Sequence, residues 1–143
     1  MFLKINLQYL FSYLGLIPLI VILIDKFFFN QIKEEIILDF FIYYTLLIFV
    51  FIGAMNWKLE NKLSNYIVFY GFLPSLLSTI IIILNLYEIT IFYIFLLIIL
   101  LFFFQLILDY FIIYTGKNNR KPFFLLRLPL SILIITCLLF AIY

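Results

Sequence analysis

The residues of this chain best suited to chemistry are an acid and a base on either side of one short polar loop. Asp109 and Arg127 both lie in long apolar runs, about equally far from the middle of the intervening loop, residues 115–122. An antiparallel helical hairpin would bring them to one depth, where an isolated charge in hydrocarbon is costly and each needs the other. Gln105 lies four residues before Asp109, on the same helical face. The spacing predicts a polar cluster near one end of a helical bundle.

One acid and one base support two interpretations. The functional interpretation is a proton or substrate site, to which Asn56 adds a further polar group at a similar depth. The structural interpretation is a clasp that locks two helices together, and a single pair near the membrane interface favours it. Trp57 follows Asn56 and is interpreted as an interfacial anchor, since Trp prefers the headgroup level.

The residue types that are missing limit catalytic and metal chemistry. The chain has no His and a single Cys, Cys137, which lies in an apolar run. Zinc, haem and His-dependent nucleophilic sites therefore lack their usual ligands or bases. One carboxylate beside one Arg, with no second acid or nucleophile, offers little for acid–base catalysis. We predict no enzyme activity, no cofactor and no metal, and the small net charge of +2 predicts no nucleic-acid partner.

The composition places these residues in a membrane. Of 143 residues, 69% are hydrophobic and 11% are charged, whereas a soluble domain is about half apolar and a quarter charged. Five apolar stretches match the roughly 20 residues that a membrane helix needs, at about 5–24, 36–55, 66–84, 89–110 and 123–143. We predict an all-α bundle of five transmembrane helices forming one membrane domain. The first stretch is interpreted as an uncleaved span, because it lacks a small-residue cleavage site.

The charge asymmetry between the predicted loops gives an orientation. With five spans, the N-terminus shares one side of the membrane with the loops after spans two and four. That side holds seven basic residues: Lys4, Lys58, Lys62, Lys117, Arg120, Lys121 and Arg127. The other side holds two, Lys26 and Lys33. Because cytoplasmic loops are enriched in Lys and Arg, we predict a bacterial inner-membrane protein with a cytoplasmic N-terminus and a periplasmic C-terminus, or a mitochondrial inner-membrane protein as the eukaryotic alternative.

Span three carries a helix-packing signature. Gly71 and Ser75 form a small-x-x-x-small face that allows close helix contact. Pro74 is expected to bend the helix, with serine hydroxyls near the carbonyls that it frees. A gating hinge and static packing both fit, and we favour static packing. Residues 14–18 of span one resemble residues 70–74, but a shared packing device or coincidence explains so short a match better than a transporter repeat.

Five short motifs follow one another in a distinctive order. They are Gly15 with Pro18, Gly53-Ala54-Met55-Asn56-Trp57, Gly71-Phe72-Leu73-Pro74-Ser75, Gln105 with Asp109, and Arg127-Leu128-Pro129-Leu130. This order resembles the domain of unknown function family three-four-two-nine, which includes small alphaproteobacterial inner-membrane proteins and the animal mitochondrial transmembrane protein sixty-nine. The resemblance implies an inner-membrane protein of about five spans and no established reaction. Asn56 stands where the family pattern has His, so a role that needs a titrating imidazole does not transfer.

These observations predict an accessory, assembly or structural component of a membrane complex, whose partners are the lipid bilayer and other membrane-protein subunits. The short loops and the lack of a ligand set favour this function. The alternative is a small transporter or channel subunit with a polar site near the cytoplasmic side, formed by Asn56, Gln105, Asp109 and Arg127. A water-filled cavity that reached Asp109 from both sides would favour transport, whereas a dry, packed contact with Arg127 would favour a clasp.

Overall fold

The computed structural model describes residues 7–55, 65–113 and 120–143. Five helices in these ranges are long and apolar enough to cross a membrane: α1 (Tyr9–Phe29), α2 (Glu34–Ala54), α3 (Asn65–Leu86), α4 (Ile91–Ile113) and α5 (Phe123–Ile142). A short helical turn, Arg120–Pro122, leads into α5, and the described residues contain no β-strand. The predicted all-α, five-helix class is confirmed.

Many residues in these helices, such as Ile and Phe, have low intrinsic helix propensity. In hydrocarbon, however, each backbone N–H and C=O must be satisfied within its own segment, and this requirement outweighs propensity. Helix α2 is the centre of the bundle and packs against α3, α4 and α5, while α1 lies at the edge and packs mainly against α5. The largest fully buried side chains form an apolar core: Leu19, Ile37, Phe41, Ile42, Ile94, Phe95, Ile98, Phe102, Ile134 and Leu138.

Helix α1 is interrupted in its first half, at Gly15 and Leu16. The α-helical segment Leu7–Leu14 stops at Gly15, and the segment Ile17–Ile24 begins with Pro18 in its first turn, where a missing N–H is tolerated. The Gly15 carbonyl accepts a hydrogen bond from the Tyr44 hydroxyl of α2 at 2.8 Å, so the break is satisfied by a neighbouring helix. Gly71 and Pro74, by contrast, lie inside the continuous helix α3. The two Gly-x-x-Pro motifs therefore have different local structures.

The first polar break is shorter than the sequence predicts. The predicted spans 5–24 and 36–55 leave residues 25–35 between them, but α1 continues to Phe29 through a π-helical turn, Asp25–Phe29, and α2 already begins at Glu34. Asn30 ends it in the left-handed conformation, with φ of 50°, which Asn tolerates better than most residues. The Asp25 carboxylate accepts the Ile32 N–H at 3.0 Å. The Asp25 side chain thus satisfies a backbone N–H of the turn, a contact that the polarity of the residues does not predict.

Candidate functional site

Asp109 and Arg127 meet inside the bundle. Arg127 Nε lies 3.0 Å from Asp109 Oδ2, and their side chains are 8% and 2% exposed. The α4–α5 hairpin thus brings the acid and the base to one depth, as their placement about the intervening loop predicts. Because the pair is buried, removing either partner would strand a charge in a low-dielectric interior.

Asp109 and Arg127 each lie in a π-helical turn. Asp109 opens the turn Asp109–Ile113 at the end of α4, and Arg127 closes the turn Phe123–Arg127 at the start of α5. A π-helical turn carries one extra residue per turn and is frequent at functional sites. It also rotates the side chains that follow it about the helix axis, relative to the side chains before it. The turns therefore help to set which face of α4 and of α5 presents its charge to the interior.

Tyr70 of α3 is the third member of the cluster, and sequence reasoning did not identify it. Its hydroxyl donates a short hydrogen bond to Asp109 Oδ1, so each carboxylate oxygen has a donor. The only sequence signal was its place near the start of span three, at the depth of Asp109. Tyr is also common at the membrane interface, so its position alone does not identify it as part of the cluster. The packing of α3 against α4 shows that its side chain points inward.

The remaining polar groups bind carbonyls of α2. Gln105 Nε2 donates to the Phe49 carbonyl at 3.4 Å, and Arg127 Nη2 donates to the Ile52 carbonyl at 3.3 Å. Gln105 and Arg127 are both buried. We call the four side chains Tyr70, Gln105, Asp109 and Arg127 the polar clasp. It connects α2, α3, α4 and α5 at one end of the bundle.

The other predicted site residues fall into two groups. Asn56 and Trp57 lie outside the described residues, so their predicted roles in the cluster and at the interface stay predictions. Gly71 and Pro74 are buried in α3, whereas Ser75 is only half-buried and donates to the Phe72 carbonyl of its own helix at 2.7 Å. The buried face of α3 therefore runs through Gly71 and Pro74 rather than through Gly71 and Ser75.

Pro74 packs against Gly53 of α2. A Cβ added at Gly53 would lie 2.5 Å from Pro74 Cγ, which is closer than nonbonded carbon atoms approach. Glycine is therefore needed at position 53 by the close approach of the two helices. Gly53 belongs to a short sequence motif, but its contact with Pro74 depends on the α2–α3 register, which is a tertiary property.

A second polar group ties the opposite end of the bundle. Lys26 Nζ donates to the Ala141 carbonyl in the last turn of α5 at 2.5 Å and lies 3.7 Å from Glu34 Oε1. The last carbonyls of a helix have no intrahelical donor, and a cation there also favours the helix dipole. This contact fixes the edge helix α1 to α5, at the end away from the polar clasp.

The described residues contain no group of three or more His, Cys, Asp or Glu side chains that could hold a metal ion. One buried side-chain oxygen there, Ser78 Oγ of α3, has no hydrogen-bond partner. The polar clasp is a buried ion pair with hydrogen bonds that connect four helices. No family model, curated protein or solved structure matches this chain.

Proposed function

We propose that this membrane protein is an accessory, assembly or structural subunit of a larger membrane complex, with the polar clasp acting as a structural fastener. The observation that carries the proposal is the burial and internal pairing of the clasp. Asp109 is 2% exposed and both of its oxygens accept hydrogen bonds from side chains of this chain. A carboxylate whose two oxygens are both paired inside the protein connects the helices that supply its partners.

The surface of the bundle also supports this proposal. Large apolar side chains remain exposed along all five helices, including Leu47, Phe69, Phe104 and Phe140. Such a surface can be covered by lipid or by another membrane protein. In lipid, two proteins associate through close packing of complementary shapes rather than through the hydrophobic effect. With short loops and no extramembrane domain in the described ranges, the faces of the helices are the surface available for partners.

We place the protein in an inner membrane with its N-terminus in the cytoplasm. This orientation rests on the count of seven basic residues against two along the sequence. Of these residues, Lys121 is exposed at the end of the bundle that carries the clasp, and Lys33 is exposed at the other end. Membership of the family of unknown function stays a prediction that rests on the order of the five motifs.

Extraction from native membranes tests the proposed function. The chain, tagged after Tyr143, is solubilised in a mild detergent and purified, and we expect it to elute with other membrane proteins in a fixed ratio. The Asp109→Ala variant is the matched control, because destabilising the fold should lower the chain and its partners together. Elution of the chain alone would contradict the proposal, and solute or ion flux through vesicles holding the pure chain would favour the transporter alternative.

A further inference from the structure

We infer that a groove between α1, α2 and α5 binds one acyl chain of an anionic phospholipid, with its phosphate at the end of the bundle that carries the polar clasp. The groove has a volume of about 270 Å³. Its walls are mostly apolar and include Leu16 of α1, Ile48 and Phe51 of α2, and Leu130 and Ile134 of α5. An alkyl chain fits this lining, whereas a polar solute would lose its hydrogen bonds to water.

A charged group supplies the polar contact in this groove. Arg127 lines it while also pairing with Asp109. A guanidinium has five N–H donors, and the contacts to Asp109 and to the Ile52 carbonyl use two of them. The donors that remain suit a phosphate or ester oxygen, since Arg binds phosphate through its planar fork. An apolar groove that ends at such a donor matches an amphiphile.

The position of the groove indicates which way the amphiphile lies. On α5 its lining residues run from Leu126 to Ile134, about 12 Å along the helix axis at 1.5 Å per residue. This stretch belongs to the half of α5 that follows Lys121, which is exposed. A headgroup near Lys121 would therefore have its acyl chain directed into the groove. A cation close to the membrane surface contributes about 1 kcal/mol toward an anionic lipid, which favours phosphatidylglycerol over phosphatidylcholine.

Native mass spectrometry of the purified full chain in detergent tests this inference, with phosphatidylglycerol and phosphatidylcholine added in turn. We expect phosphatidylglycerol to be retained at lower concentration, by about fivefold for the single cation Lys121. Lys121→Gln should abolish that preference while leaving binding of phosphatidylcholine unchanged. Inorganic phosphate should not compete, because the acyl chain supplies most of the contact.

A groove-filling variant separates this site from ordinary lipid contact. Ile48→Trp places a larger side chain in the groove, whereas Leu47→Trp adds the same bulk at the next residue, which is 65% exposed and lies outside the groove. The first should lose the retained lipid and the second should keep it. Equal retention of both lipids by all variants would overturn the inference, as would wild-type protein that retains no lipid. Displacement of a bound polypeptide by Ile48→Trp would overturn it as well, and would assign the groove to a partner helix. If Ile48→Trp fails to fold, Lys121→Gln alone decides the outcome through the preference between the two lipids.

Discussion

At the scale of single residues, the polar clasp shows how a buried charge is kept in a membrane helix. Asp109 has a cation on one oxygen and a hydroxyl on the other, and Arg127 also reaches a backbone carbonyl of a third helix. This arrangement pairs both charges within the protein, which is the condition for a buried ion pair to be tolerated.

Tyr70→Phe should destabilise the fold. The variant keeps the ring and removes the hydroxyl that donates to Asp109, and in a membrane protein we expect a loss of roughly 1–2 kcal/mol in the free energy of unfolding. Unfolding in mixed micelles by a denaturing detergent measures it. Tyr66→Phe is the matched control, because Tyr66 lies on the same helix and is 62% exposed. Equal stability of the two variants would show that the Tyr70 hydroxyl contributes nothing to the clasp.

The sequence predicts part of this cluster and not the rest, for a physical reason. Asp109, Gln105 and Arg127 could be predicted to come together because local helix geometry and one short loop fix their relative depth. Tyr70 could not, since its contact depends on how α3 packs against α4. Gly53 was recognisable as a small residue, but its contact with Pro74 requires the α2–α3 register, which no local pattern sets.

At the scale of the helices, α2 acts as the centre against which three other helices pack. Its C-terminal half supplies the carbonyls of Phe49 and Ile52 to the clasp and Gly53 to the close contact with Pro74. The same turn and a half of helix therefore sets the distances to α3, α4 and α5. Helix α1 is held instead by three side-chain hydrogen bonds, from Tyr44 to the Gly15 carbonyl, from Tyr13 to the Leu125 carbonyl and from Lys26 to the Ala141 carbonyl.

Gly53→Ala should separate α2 from α3 and destabilise the bundle. The added methyl group would lie 2.5 Å from Pro74 Cγ, a ring atom with little freedom to move, and overpacking of this kind costs about 1–3 kcal/mol. The fraction of protein that stays monodisperse after heating in detergent measures the effect. Ala54→Leu, at the exposed neighbouring position, should remain close to wild type. A Gly53→Ala variant as stable as wild type would mean that the helices are not this close.

At the scale of the whole molecule, the two ends of the bundle differ in charge and in construction. One end carries the buried clasp and the exposed Lys121, and the other carries the Lys26 contact to α5 and exposed carboxylates. The predicted orientation rests instead on the count of Lys and Arg along the sequence, seven against two, because carboxylates contribute little to orientation. The number of spans followed from hydropathy, whereas the exact helix ends depended on side-chain contacts such as that of Asp25 with the Ile32 N–H.

Reporter fusions test the orientation. A reporter that is active only in the periplasm should work when fused after Tyr143, and one that is active only in the cytoplasm should work when inserted within residues 115–122. The physical reason is that Lys and Arg are retained on the cytoplasmic side. The reverse pattern would show that the charge count does not set the topology of this chain.

The central claim is that Asp109 and Arg127 form a structural clasp, and a double-variant comparison of stability tests it most directly. Asp109→Ala strands a buried cation and should cost about 3–5 kcal/mol, whereas Asp109→Ala combined with Arg127→Leu removes both charges and should lie much closer to wild type. Both are measured by unfolding in mixed micelles, and by the amount of folded protein in the membrane. The account predicts that the double variant is more stable than the single variant and still assembles with the wild-type partners. A double variant that is no more stable than Asp109→Ala, or one that folds fully but has lost all cellular activity, would contradict it.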